Sequence, residues 1–162
     1  MNTFLSIIII GAGATLATDI WGWLRLKALG VAAPNFGMVG RWLAYIPRGR
    51  FIHTPVSKSP AIRGENIIGW SAHYLIGIAF AVALVLVWGT DWIEHPSFLP
   101  ALIVGILTVL APFLLMQPGM GSGLAARKTP NPNKARFHSL LTHIVFGLGL
   151  YATAHLNLFL FS

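Results

Sequence analysis

The chain has no cysteine among its 162 residues. That excludes disulfides, thiolate metal sites and iron–sulfur clusters, and says nothing about compartment. Charge is also scarce, at 9% of residues, where a soluble domain carries about a quarter. So few charges cannot cover a water-facing surface, whereas a lipid-facing surface needs none. No Lys or Arg precedes the first apolar run. The segment from Met1 therefore lacks the basic flank of a cleaved signal peptide and reads as a first spanning helix.

Hydrophobic residues make up 56% of the chain. They gather in four continuous runs, 4–24, 67–89, 98–117 and 139–161. Each has about 20 residues, enough for a helix to cross a hydrocarbon core of about 30 Å. Membrane strands need only about 10 residues and alternate in polarity, which these runs do not. The expected fold is a single all-α integral membrane domain with four transmembrane helices.

Charge placement gives an orientation. Arg25, Lys27, Arg41, Arg48, Arg50, Lys58 and Arg63 fall in the loop 25–66, and Arg127, Lys128, Lys134 and Arg136 in the loop 118–138. The short loop between the second and third runs holds Asp91 and Glu94 and no basic residue. The positive-inside rule puts both basic loops in the cytoplasm and both termini outside. Trp88 and Trp92 are then expected at the outer interface, and Trp21, Trp23 and Trp70 near the inner one. A net charge of +7 would suggest nucleic acid in a soluble protein, but between apolar runs it points to a bilayer with anionic headgroups. The first loop is long and punctuated by Pro34, Pro47, Pro55 and Pro60. Its aromatics argue against disorder, and Met38–Ile46 is expected to form a short interfacial helix.

Ionisable residues inside spans are costly and usually face the bundle interior. Asp19, His73 and His143 lie in the first, second and fourth runs, and Gln117 closes the third. At about 1.5 Å per residue, all four fall within roughly 10 Å of the inner interface. Gly69, His73 and Gly77 recur at helical spacing, as do His143, Gly147 and Tyr151. Small residues beside polar ones let helices approach closely. Asp19, His73, His143, Gln117 and Tyr151 are the candidate ligand or proton site, with interhelical bonding as the purely structural alternative. Arg41, Arg48, Arg50, Arg63, Arg127 and Arg136 form a candidate anion-binding rim, since guanidinium forks suit phosphate and carboxylate. The competing account of the rim is a topology signal with nonspecific lipid contact.

Other motifs carry little. Gly11-Ala12-Gly13 sits inside a span, and Leu16 occupies the third glycine position of a dinucleotide fingerprint. The turn with Gly119, Gly121 and Gly123 lacks the Lys-Ser/Thr of a phosphate loop. His138 and His143 are on different helix faces, and no zinc-protease motif is present. No metal site and no cofactor are expected; bis-histidine haem ligation by His73 and His143 is the one cofactor alternative.

Several separated motifs do resemble a family. They are Gly40-Arg41-Trp42, Pro47-Arg48-Gly49-Arg50-Phe51 with His53, Gly64-Glu65, Gly69-Trp70 and His73-Tyr74. In the second half they are Met116-Gln117-Pro118, Thr129-Pro130-Asn131-Pro132, His143 and Phe146-Gly147-Leu148-Gly149-Leu150-Tyr151. Together they resemble, over nearly the whole chain, the bacterial membrane proteins catalogued as domain of unknown function 2938. The resemblance implies no activity. The functional expectation is a multi-pass protein of the bacterial inner membrane, binding or transporting a small anionic solute or a proton at a cytoplasmic-leaflet site. A homo-oligomer is expected to supply the cavity that four helices alone do not, and no nucleic-acid partner is expected. The alternatives are a membrane enzyme acting on a lipid headgroup or quinone, and a structural or haem-binding subunit of a complex.

Overall fold

The structure, a computed structural model, describes residues 2–161. Among the described residues the secondary structure is entirely helical. In chain order the α-helices are α1 (Thr3–Leu29), α2 (Phe36–Tyr45), α3 (Glu65–Trp88), α4 (Asp91–Glu94), α5 (Phe98–Leu107), α6 (Gln117–Met120) and α7 (Pro132–Phe161). Four stretches are long and apolar enough to cross a membrane: Thr3–Leu29, Glu65–Trp88, Phe98–Met120 and Pro132–Phe161. Their exteriors carry bare apolar side chains, such as Leu86 at 80% and Phe159 at 83% exposure. Lipid is the solvent that leaves such surfaces without penalty.

The helices outrun the apolar segments that nucleate them. Helix α1 continues through Arg25 and Lys27 and stops at Gly30, whose φ of 64° lets its N–H close on Leu26 O. Helix α7 begins seven residues before the apolar run, at Pro132, because its first turn needs no donor there. The third span is broken. Pro112 has no N–H to give, and the chain answers with a π-helical turn over Pro112–Met116 between α5 and α6.

The chain divides into two compact units, one comprising the residues up to Ala33, Tyr74–Thr108 and those from Leu141 on, the other Pro34–His73 and Val109–Leu140. The core of the first unit joins Ile10 and Ala14 of α1, Ala81, Leu84 and Val85 of α3, Ala101 and Val104 of α5, and Phe146, Leu150 and Ala154 of α7. Small residues set the helix distances. A Cβ on Gly105 would lie 2.5 Å from the Gly147 Cα and 2.7 Å from the His143 carbonyl oxygen, so α5 and α7 touch backbone to backbone. Trp92 is 4% exposed. The short α4 turns it into this core, and its indole N–H donates to Ser97 O at 3.1 Å.

The second unit contains most of the long loop, which is well structured. Helix α2 starts on Asn35, whose side chain accepts from Met38 N. Gly40 of α2 packs on the backbone of Glu65 and Gly69 in α3, and Gly69 in turn on Phe36 O. Any side chain at either glycine would drive α2 off α3.

Candidate functional site

In the first unit, the buried face of α1 is a stripe of Gly11, Thr15, Thr18, Gly22 and Arg25. This spacing returns to one side of a helix every turn. Thr15 and Thr18 satisfy their own hydroxyls, donating to Gly11 O at 2.8 Å and Thr15 O at 2.7 Å. Arg25 ends the stripe and is only 4% exposed. Its guanidinium donates to the Thr142 hydroxyl of α7 at 3.3 Å and to Ala32 O at 3.4 Å.

Asp19 accepts a 2.8 Å hydrogen bond from the Tyr74 hydroxyl, linking α1 to α3. His143 Nδ1 lies 2.9 Å from the Thr108 hydroxyl. That hydroxyl has one proton and spends it on Gly105 O at 2.6 Å. With its proton directed to Gly105 O, the Thr108 oxygen can accept from Nδ1–H of His143. Tyr151, two turns further along α7, packs edge-on against Phe98 and His155. It belongs to an aromatic cluster rather than to the neighbourhood of His143, about 12 Å away along the helix.

The second unit holds His73 and Gln117. The His73 imidazole stacks on Phe36, with ring centroids 4.1 Å apart, and meets Trp70 edge-on. The Gln117 amide donates to the Ser139 hydroxyl at 3.4 Å, while its buried Oε1 has no hydrogen-bond partner among the described residues. Asp19 and His143 thus fall in one unit, His73 and Gln117 in the other.

The arginines predicted as a rim divide into two kinds. Arg41 is 8% exposed, and its fork is fully engaged. Nε and one terminal nitrogen donate to Glu65 at 2.8 and 2.7 Å, and the other donates to Ser59 O at 3.0 Å. The bond to Glu65 raises the Arg41 pKa above its ordinary value, so the charge is permanent. Arg136 is committed in the same manner, to Ala125 O and Asn133. Arg48 and Arg50 are exposed and lie over the Tyr45 ring at 5.5 and 5.6 Å. Arg63 and Arg127 are exposed as well.

Sequence reasoning passed over four groups. Arg25 was counted only as a topology charge, although its place on the Gly11–Thr15–Thr18–Gly22 stripe marks it as inward-facing. Tyr74 and Thr108 carried no charge to draw notice. His53 is 1% exposed, with Nδ1 2.7 Å from the Ser59 hydroxyl, and Nε2 has no hydrogen-bond partner among the described residues. Burial, reinforced by Arg50, lowers its pKa below the ordinary 6.5, so it is neutral at physiological pH. Among the described residues no three His, Asp or Glu side chains cluster closely enough to hold a metal ion.

No curated protein and no solved structure matches the chain. The family model described as protein of unknown function (DUF2938) matches residues 8–157. With four membrane-length helices and a match over nearly its whole length, the chain belongs to the DUF2938 family.

Proposed function

We propose that this protein binds a small anionic solute at a polar site between its helices, on the cytoplasmic-leaflet side of a bacterial inner membrane. The observation that carries the reading is the Arg25 guanidinium, 4% exposed among helices and beside the Thr142 hydroxyl. An ionisable group within membrane helices is costly to keep, and function is the usual reason for keeping it. Its fork matches a carboxylate or a phosphate. Asp19 on Tyr74 and His143 on Thr108 supply titratable groups in the same unit, which suits an anion that moves with a proton. The exposed loop arginines raise the local anion concentration under the proposed topology, with both basic loops inside. A homo-oligomer would complete the solute path.

The test is binding of radiolabelled acetate and inorganic phosphate to purified protein in detergent, alongside thermal stability. Arg25→Gln is expected to abolish binding of whichever anion the wild type retains. Asp19→Asn is expected to keep the bundle folded, since an interhelical hydrogen bond is worth only about 0.6 kcal/mol, and to remove the pH dependence of binding. A folded Arg25→Gln protein that binds as the wild type does, or a wild type that binds neither anion at millimolar concentration, would sink the reading.

A further inference from the structure

The loop that follows α2 ends in an exposed tip with two chemistries side by side. Arg48 and Arg50 are exposed, and both lie over the Tyr45 ring. Directly after them, Phe51 is 60% and Ile52 69% exposed. The tip is held from behind. The Trp42 indole donates to Phe51 O at 2.9 Å, and His53 N donates to Gly119 O at 2.8 Å. Trp42 itself packs on Gly119, where a Cβ would collide with the indole. The backbone is therefore clamped while the Phe51 and Ile52 side chains face outward.

The clamp also sets depth. Gly119 lies in the last turn of the third membrane-length stretch, Phe98–Met120. That stretch has 23 residues and is long and apolar enough to cross a membrane, where about 20 residues suffice for the hydrocarbon core. Its end therefore reaches the headgroup layer. Ile52 and Phe51 are one and two residues from the bonded His53, within about 8 Å along the chain. Two bare apolar side chains and two cations then meet the boundary between phosphates and acyl chains. In water the first pair is a liability, and inside hydrocarbon the second pair is. At the boundary both are satisfied.

We infer that the 47–52 tip docks an anionic phospholipid, with Arg48 and Arg50 gripping the phosphodiester and Phe51 and Ile52 entering the acyl region. Tyr45 contributes by holding both guanidiniums over one ring, so less side-chain entropy is lost on binding. The site lies apart in sequence from Arg25 and does not depend on the anion reading above.

Native mass spectrometry of the detergent-purified protein with added phosphatidylglycerol or phosphatidylcholine tests it. The wild type is expected to retain phosphatidylglycerol preferentially, and Arg48→Gln with Arg50→Gln to lower that retention about 10-fold. Phe51→Ser with Ile52→Ser is expected to lower retention of both lipids. Lys128→Gln with Lys134→Gln, which removes the same charge elsewhere on the exposed surface, is expected to change little. Equal retention of the two lipids by the wild type would overturn the inference. So would an equal loss in the Lys128/Lys134 variant, which would reduce the effect to net charge. Displacement of phosphatidylglycerol by equimolar inorganic phosphate would show a headgroup site without docking. A dimer lost in the Phe51/Ile52 variant would assign the tip to a second copy instead.

Discussion

Arg41→Met tests whether the long loop is held by one buried ion pair. The substitution keeps most of the aliphatic stem and removes three hydrogen bonds, two to Glu65 and one to Ser59 O. Breaking a buried pair from one side costs about 3–5 kcal/mol, because the remaining charge is left uncompensated. Two features of Glu65 favour the lower end. Its side chain is 18% exposed, so water can reach it, and it still accepts from Ile62 N at 2.9 Å in the first turn of α3. The expected cost is therefore about 3 kcal/mol, or about 100-fold in the opening equilibrium of the loop. Val56, 3% exposed in the same loop, provides the assay. With no native cysteine, Val56→Cys is the sole thiol, and its maleimide labelling rate reports loop opening. The Arg41→Met background is expected to label about 100-fold faster. Adding Glu65→Gln, which keeps an acceptor for Ile62 N but removes the stranded charge, is expected to recover much of the loss. Labelling at the wild-type rate, or a double variant as open as the two single effects combined, would refute the reasoning.

Three other outcomes follow from the geometry. Because burial depresses the His53 pKa below 6.5, the unfolded loop binds more protons than the folded one as pH falls through 6.5. Loop stability is thus full above that value and declines below it. Val56→Cys labelling, divided by the pH-dependent reactivity of a free thiol, should accelerate as pH falls below 6.5, and His53→Gln should flatten that response; an unchanged slope in the variant would assign the effect to another group. Gly105→Val places side-chain atoms against the Gly147 backbone and should lower stability to SDS by about 3 kcal/mol or more, a figure that a variant as stable as wild type would contradict. Reporter fusions within 91–96 should report the periplasmic side and fusions at Lys58 and Asn133 the cytoplasm, with a cytoplasmic 91–96 loop reversing the proposed topology.

The sequence alone was enough for the four spans, because a bilayer permits so few backbone solutions. About 20 apolar residues in a row, with every backbone group needing an internal partner, leave only a helix. The same logic singled out Asp19, His73, His143 and Gln117 as polar groups within or at the ends of apolar runs, which the structure divides between the two units. The close approaches at Gly69 and Gly147, and at Gly77 against Thr15, occur at positions that helical spacing had grouped with the polar residues. What the sequence left open was which charge faces in and what each polar group touches. Arg25 read as a topology charge and Arg41 as part of an anion-binding rim. Only tertiary packing buries the first against Thr142, 117 residues away, and locks the second onto Glu65 across 24 residues. Periodicity assigns a side chain to a face of its own helix. It does not say which distant segment supplies the bonding partner, and for a charge in low dielectric that partner decides between a topology signal, a structural tie and a binding group.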